Sequence, residues 1–213
     1  MTHAIAPLTP RTAKPQLISV VAPAYNEAEN LEKLFAAVIE VLEPLKIPFE
    51  LVIAENGSTD NSLDVLKQLN ARDPRLQYVS LSRNFGSQGG LVAGLERCRG
   101  SVVITMDADL QHPPSFIPEL LDAWQKGYDI VNPRRRNATH AGLLRLFVNS
   151  VYFWVMTKIT RIPMQSRQSD FRLFDRVALD AMLHMPERNK FLRGLAHWIG
   201  FPQKSLEFDV HER

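Results

Sequence analysis

"VITMDADLQHPP", residues 103–114, decides how the rest of the chain is read. The residues leading into it, Ser101 to Met106, are apolar and β-branched, which predicts an interior strand. Carboxylates one step beyond such a strand repel each other unless a positive charge intervenes. Asp107 and Asp109 therefore either share a cation or Asp109 caps a turn, and both readings stand at this level. Pro113 and Pro114 then start a helix from about Ser115 to Lys126, because proline in the first turn lacks only an N–H that has no intrahelical partner. Gly127 ends that helix, and Tyr128 to Val131 predicts a fifth strand.

Upstream, the same alternation repeats. Leu17 to Ala22, Phe49 to Ala54 and Leu76 to Leu81 read as strands, and Leu31, Leu34, Phe35, Val38, Ile39 and Leu42 fall at helical spacing within Glu29 to Leu42. Helices are also predicted over Ser62 to Leu69 and Ser87 to Arg97. Near-continuous apolar strands alternating with amphipathic helices imply an α/β fold with a mostly parallel sheet covered on both faces. Ligands of such sheets bind beyond the carboxyl ends of the strands. The polar clusters fall there: residues 23–27, 55–60, 82–86 and 107–109. No GxGxxG follows the first strand and no GxxxxGK[ST] occurs, which removes the usual support for dinucleotide and P-loop readings.

Composition narrows the class further. With 213 residues, 45% of them hydrophobic, the chain is long enough for one α/β domain with a substantial core. The single Cys98 has no partner for an internal disulfide and reads as a core residue in a reducing compartment. Residues 1–16 contain three prolines and no apolar signal segment, which predicts a flexible leader. The net charge of +2 conceals an asymmetry: residues 1–132 carry 11 Lys and Arg against 16 Asp and Glu, whereas residues 133–213 carry 14 against 7. A basic half suits nucleic acid, an anionic membrane or a phosphorylated substrate, or is a scatter of solvated charge.

Asp-x-Asp at a strand end can hold Mg²⁺ or Mn²⁺, which keep waters and share their shell with substrate phosphates. On an extended backbone the two carboxylates point to similar sides, Gln111 adds an oxygen at the next alternate position, and His112 comes within reach of a phosphate. Glu55 and Asn56 offer an acceptor and a donor to the edge of a base.

Five ordered words, VVAPAYNEAENL at 20–31, ENGSTDNS at 55–62, LSRNFGSQGGLVAGL at 81–95, MDADLQHPP at 106–114 and DFRLFDR at 170–176, resemble a known family. It is that of the inverting GT-A glycosyltransferases that make polyprenyl-phosphate sugars, including dolichol-phosphate mannose synthase and bacterial undecaprenyl-phosphate glycosyltransferases. The resemblance implies a GT-A catalytic domain over residues 17–213, with nucleotide and metal binding in 17–132 and acceptor and membrane contacts in 133–213. It implies a nucleotide sugar as donor, held by Pro23, Tyr25, Glu27, Glu55, Asn56, Asp107 and Arg135, with Asn56 replacing a common aspartate. Asp107, Asp109 and Gln111 match the metal set for Mg²⁺ or Mn²⁺. Asp109, Asp170 and Arg172 match catalytic positions, with Asp170 either handling the acceptor or forming a salt bridge to Arg172 or Arg176. Ser169 stands where the family writes glycine, after a longer loop from Ile162-Pro163.

Residues 143–162, LLRLFVNSVYFWVMTKITRI, carry an apolar helical stripe. Their 12 uncharged residues between Arg145 and Lys158 reach about 18 Å as a helix, against a hydrocarbon core of about 30 Å. The segment is too short to span a bilayer and is expected either in the interface as one of the C-terminal amphipathic helices or packed on the sheet. Relatives in the resemblance continue past residue 213 into membrane-spanning helices that this sequence lacks, so a fragment of a longer chain is expected. The whole points to hexose transfer from a UDP- or GDP-linked sugar to polyprenyl phosphate at the cytoplasmic membrane face, as a soluble protein if the chain is truncated. Transfer to a saccharide or another lipid, and nucleotide-sugar binding without catalysis, remain open. A homo-oligomer is compatible with the sequence. Nucleic acid is not an expected partner, because the aromatics of the basic half lie on the apolar stripe rather than between arginines.

Overall fold

The computed structural model describes residues 8–135, 170–187 and 190–208. Within them the order is β1 (Ile18–Ala24), α1 (Ala28–Leu42), β2 (Phe49–Glu55), α2 (Ser62–Arg72), β3 (Leu76–Ser80), α3 (Gly86–Arg97), β4 (Val102–Thr105), α4 (Ile117–Gln125), β5 (Ile130–Arg135), β6 (Arg172–Asp175), α5 (Arg176–Leu183), α6 (Leu192–Trp198) and β7 (Gln203–Phe208). The strands form one sheet in the order β3-β2-β1-β4-β6-β5-β7. β6 runs antiparallel to β4 and β5, and the other pairings are parallel. The mostly parallel α/β architecture expected from the strand pattern is therefore present.

The apolar strands are apolar because both faces are covered. On one face Leu31, Leu34, Phe35 and Val38 of α1 join Leu66 of α2 and Leu120 and Leu121 of α4 over the even-numbered residues of β1. On the other, Leu91 and Leu95 of α3, Leu179 and Met182 of α5 and Leu192 and Ala196 of α6 pack on Val21, Val52, Val103 and Phe174. Gly94 lets α3 lie close to the sheet, since a Cβ there would stand 2.5 Å from Val21 Cγ1. Cys98 is buried at the end of α3, as expected of a core residue.

Three readings are corrected. The fifth strand runs from Ile130 to Arg135 rather than ending at Val131, because β7 pairs with it in parallel along its whole length. The helix after Pro113 begins with a 3-10 turn over Pro114–Phe116, and its α-helical part is Ile117–Gln125. Residues 8–16 are not a loose leader. Arg11 donates through Nη1 to the Trp124 and Tyr128 carbonyls at 2.5 and 3.3 Å, and its Nη2 meets Asp129 and, at 3.2 Å, Asp175. Its guanidinium lies 4.7 Å from the Trp124 ring, whose Nε1 donates to Asp175 Oδ2 at 2.7 Å. One arginine over an aromatic ring and two acids fastens a segment that composition reads as free.

The amphipathic stretch 143–162 and the Ser169 loop lie outside the described residues. Among the described residues no helix is long and apolar enough to cross a membrane.

Candidate active site

The loops after β1 and β2 are built around each other. Asn26 adopts a left-handed conformation, φ 56°, which asparagine tolerates better than most side chains. From there its Oδ1 accepts from Thr59 N at 2.8 Å, Thr59 Oγ1 at 3.3 Å and Asp60 N at 3.4 Å. In return Ser58 Oγ accepts from Asn26 N, Ser62 Oγ from Glu27 N and Asp60 Oδ2 from Ala28 N. Much of YNE and GSTDNS is thus mutual scaffolding for two adjacent strand ends. What the scaffold presents is Pro23, Ala24 and Glu27 on one wall of a cleft of about 190 Å³, with Ser87, Asp107, Ala108 and Asp109 on the others. Tyr25 projects outward beside it, 42% exposed.

Glu55 and Asn56 sit lower than the base-facing role expected of them. Both are buried. The Glu55 carboxylate accepts from Ser58 N and, at 2.6 Å, from Ser80 Oγ. Asn56 donates to Asn84 Oδ1 at 3.3 Å and the Gly86 carbonyl at 3.0 Å, and accepts from Phe85 N at 3.0 Å. Its amide is turned into the loop at the start of α3, whose shape it fixes. Gly57 follows at φ 68° because a Cβ would stand 2.5 Å from the Arg83 carbonyl carbon.

Beyond Thr105 the backbone does not stay extended, which corrects the alternation argument for Asp107, Asp109 and Gln111. Met106 makes one last sheet bond, to Val21 O at 3.0 Å, and residues 108–110 then turn, with Leu110 at φ 63°. A branched side chain at positive φ persists only where its surroundings impose it. Here Leu110 packs against the core. Asp109 Oδ1 accepts from Gln111 N at 3.1 Å, so the capping reading of Asp109 is real and coexists with its place in the cleft. Gln111 contributes that backbone N–H and does not line the cleft. His112 is fully buried, stacked on Phe171 at 5.2 Å, and its Nδ1 accepts from Asp107 N at 3.1 Å. It holds the backbone of Asp107 instead of reaching a phosphate.

These residues fit a divalent cation that substrate completes. Asp107, with a side chain 39% exposed, and Asp109 line one small cleft. Among the described residues no group of three or more His, Cys, Asp or Glu forms a closed cage. Two carboxylates with room for water and phosphate oxygens suit Mg²⁺ or Mn²⁺.

A second cluster meets this edge from the far side. Because β6 is antiparallel, its beginning lies at the carboxyl ends of β4 and β5, and Asp170 precedes it there. Thr105 Oγ1 holds the Asp170 carbonyl. The Asp170 carboxylate accepts from Arg193 Nε and Nη2, both at 2.8 Å, and from Gln88 Nε2 at 3.2 Å. Its ion partner is therefore Arg193 of α6, neither Arg172 nor Arg176. Arg176 instead bonds Asp180 and the Gly100 and Cys98 carbonyls. Burial works to raise the Asp170 carboxyl, but Arg193, with Arg172 and Gln88, holds it below the usual carboxylate range. Arg193 is in turn held protonated chiefly by Asp170, with Asp107 adding to the effect, which ties the two clusters electrostatically.

Arg172 is 3% exposed, and burial pulls its guanidinium down to about 10, with Arg193 adding and Asp170 opposing. Arg134 belongs to the same basic group: it and Arg172 both depress the half-buried His197, after burial itself. Arg134 Nε is buried without a hydrogen-bond partner among the described residues, an orphan donor that suits an anion. Arg135, expected after the fifth strand, is its last residue, in register with Phe208, and its side chain lies outside what the structure describes. Arg193 and Ser87 escaped the sequence reading. The available signal for Arg193 was the helical spacing of Leu192, Leu195, Ala196 and Ile199, which leaves it off the apolar stripe.

Comparisons with known proteins identify the family and the fold. Residues 19–183 match the family model described as glycosyl transferase family 2. An uncharacterized glycosyltransferase of Synechocystis is 41% identical over 196 residues, covering 92% of this chain and 62% of the relative. An undecaprenyl-phosphate 4-deoxy-4-formamido-L-arabinose transferase of Proteus mirabilis is 36% identical, covering 91% of this chain and 59% of the relative. The chain thus spans about three fifths of the length of these relatives. Among solved structures, a mannosyltransferase of Pyrobaculum calidifontis in complex with GDP-Man and Mn²⁺ superposes with a TM-score of 0.62 at 17% identity, covering 96% of this chain and 59% of that one. That likeness concerns the fold, which is GT-A.

Proposed function

The chain belongs to glycosyl transferase family 2, and from that premise we propose that it transfers a hexose from a nucleotide sugar to polyprenyl phosphate, with inversion, at the cytoplasmic face of a membrane. The observation that carries the choice of acceptor is the state of Asp170. A hydroxyl acceptor needs a base to take its proton, and the base must be free and suitably weak as an acid. Asp170 is neither, being clamped by both arms of Arg193 and held below the usual carboxylate range. A phosphate monoester needs no base, because it arrives as an anion. What it needs is positive charge, and Arg172, Arg193 and Arg134 supply it. The undecaprenyl-phosphate relative, whose name states such an acceptor, supports the same class.

In this reading the nucleotide lies along the β1 and β2 loops, against Pro23, Tyr25 and Glu27, with Glu55 and Asn56 shaping the floor. Asp107 and Asp109 would hold Mg²⁺ or Mn²⁺, which when bound offsets the charge growing on the departing diphosphate. A phosphate oxygen of the acceptor attacks the anomeric carbon as the bond from that carbon to the diphosphate oxygen breaks. The electron pair leaves with the diphosphate, and no proton moves. Attack from the side opposite the leaving group inverts the centre. Asp170 is a positioning residue that aims Arg193 between the reacting phosphates.

The test is incubation of the protein with labelled UDP- and GDP-sugars, undecaprenyl phosphate in detergent and Mn²⁺ or Mg²⁺. Labelled lipid that requires the metal is the expected product. Transfer to a free saccharide with no labelled lipid would reject the acceptor.

A further inference from the structure

The outward stripe of α3 forms a groove of about 580 Å³ that no step above uses. Leu81, Phe85, Val92 and Phe191 line it with hydrocarbon, and the small residues Gly89 and Ala93 keep it open. A Cβ on Gly89 would meet Phe85 Cβ at 2.8 Å, so the glycine lets the Phe85 ring lie along the helix. Phe85 and Phe191 are 48% and 46% exposed, unusual for rings of that size.

We propose that this groove seats the first isoprene units of the acceptor lipid, an inference that rests on the polyprenyl-phosphate reading above. Three features select that occupant. The groove is continuous with the candidate site through Gln88, which lines it while donating to Asp170 Oδ2 at 3.2 Å and accepting from Leu192 N at 3.3 Å. Charge gives it a direction: Lys190 stands at its rim, three residues before Arg193, whereas Glu96 lies at the other end of the helical stripe. An anionic head is favoured beside Gln88 and Arg193 and disfavoured beside Glu96. The middle of the groove also offers few polar partners, because Leu81, Val92, Ala93 and Phe191 are hydrocarbon there and the main-chain groups of the later turns of α3 are bonded within the helix. A peptide laid there would leave its own amides unsatisfied, and a hydrocarbon leaves nothing unsatisfied. Eleven residues separate Phe85 from Glu96, about 16 Å at the helical rise, enough for a few prenyl units and far too short for an undecaprenyl chain.

Two variants test the seat without touching the catalytic machinery. Ala93→Phe fills the groove beyond its first turn. It should raise KM for undecaprenyl phosphate about tenfold while leaving KM for geranyl phosphate and for the nucleotide sugar unchanged. Ala93→Cys gives a readout independent of turnover, because burial of Cys98 raises its thiol and keeps it from competing for an alkylating reagent. Undecaprenyl phosphate in detergent should slow alkylation at position 93 severalfold, and inorganic phosphate in the same detergent should not. Normal transfer to undecaprenyl phosphate with an unchanged KM in folded Ala93→Phe would overturn the groove while leaving the acceptor intact. No transfer by the wild-type protein to either prenyl phosphate would reject the acceptor itself. Protection of position 93 that grows with protein concentration in the absence of lipid would assign the groove to a second copy of the chain and overturn the proposal.

Discussion

Replacing Arg193 by alanine should reverse the direction in which its surroundings move the Asp170 carboxyl. In the intact chain burial raises that carboxyl, and Arg193 with Arg172 and Gln88 outweighs it, holding the group below its ordinary 3.8. A carboxyl lowered in the folded state contributes stability that is present above its unfolded value and lost as pH falls through its folded value. Without Arg193 two bonds of 2.8 Å disappear, burial dominates, and the group rises above its ordinary value. Its contribution is then present only below that value and is lost as pH climbs through the raised one. The stability gap between wild type and variant therefore opens as pH rises from below the ordinary 3.8 to above it. Its size follows from exposure. Removing one partner of a fully buried pair costs about 3–5 kcal/mol. Here the Asp170 side chain is 10% exposed but that of Arg193 is 41% exposed, so water enters the vacated space. A gap of about 1–3 kcal/mol near neutral pH is expected. Urea denaturation of both proteins at about pH 4 and about pH 7 measures it. An equal gap at the two pH values, or a larger one in acid, would refute the ion-pair account of Asp170.

Asp107→Asn should abolish Mn²⁺-dependent binding of a nucleoside diphosphate by calorimetry and slow transfer about a hundredfold to a thousandfold; unchanged affinity would contradict the metal assignment. Arg11→Ala removes the clasp on Trp124, Asp129 and Asp175. It should cost about 1–3 kcal/mol in denaturation with KM for the nucleotide sugar unaltered, because the clasp lies at the opposite edge of the sheet from the cleft. Asn26→Ala places an intolerant side chain at φ 56° and frees three donors of the β2 loop. A loss of about 1–3 kcal/mol is expected, together with a higher nucleotide-sugar KM, and retention of both would deny the interlocked loops.

The first half of the sheet was legible because strands buried on both faces leave apolar runs, and β1, β2 and β4 each show one, whereas the edge strand β3 was read from the shorter pattern of Leu76 to Leu81. The position of the cleft was legible for a related reason: ligands of parallel sheets bind beyond the carboxyl ends of the strands, where the polar clusters of this sequence fall, although many of those residues scaffold one another. The second half was not. β6 is four residues long and begins with the buried Arg172, a charge that argues against an interior strand until the neighbouring Asp170 and Arg193 are known. Asn56 and His112 show the converse limit. Their chemistry suits a ligand, but side-chain type does not reveal which way a group points, and both point into the protein. Arg193 stayed hidden because its significance lies in a contact 23 residues away, with Asp170.

The antiparallel insertion of β6 also bears on how such a protein can vary. β5 leaves the sheet at the cleft edge and β6 re-enters beside it at the same edge, so the chain between Arg135 and Asp170 begins and ends on neighbouring strands. A change of length or sequence between those two ends leaves the order of the described strands as it is. The loops after β1 and β2, which lock each other through Asn26, Ser58 and Asp60, have no such freedom. One sheet thus carries an interlocked pair of loops beyond β1 and β2 and, beyond β5 and β6, two neighbouring chain ends that its strand order does not tie together.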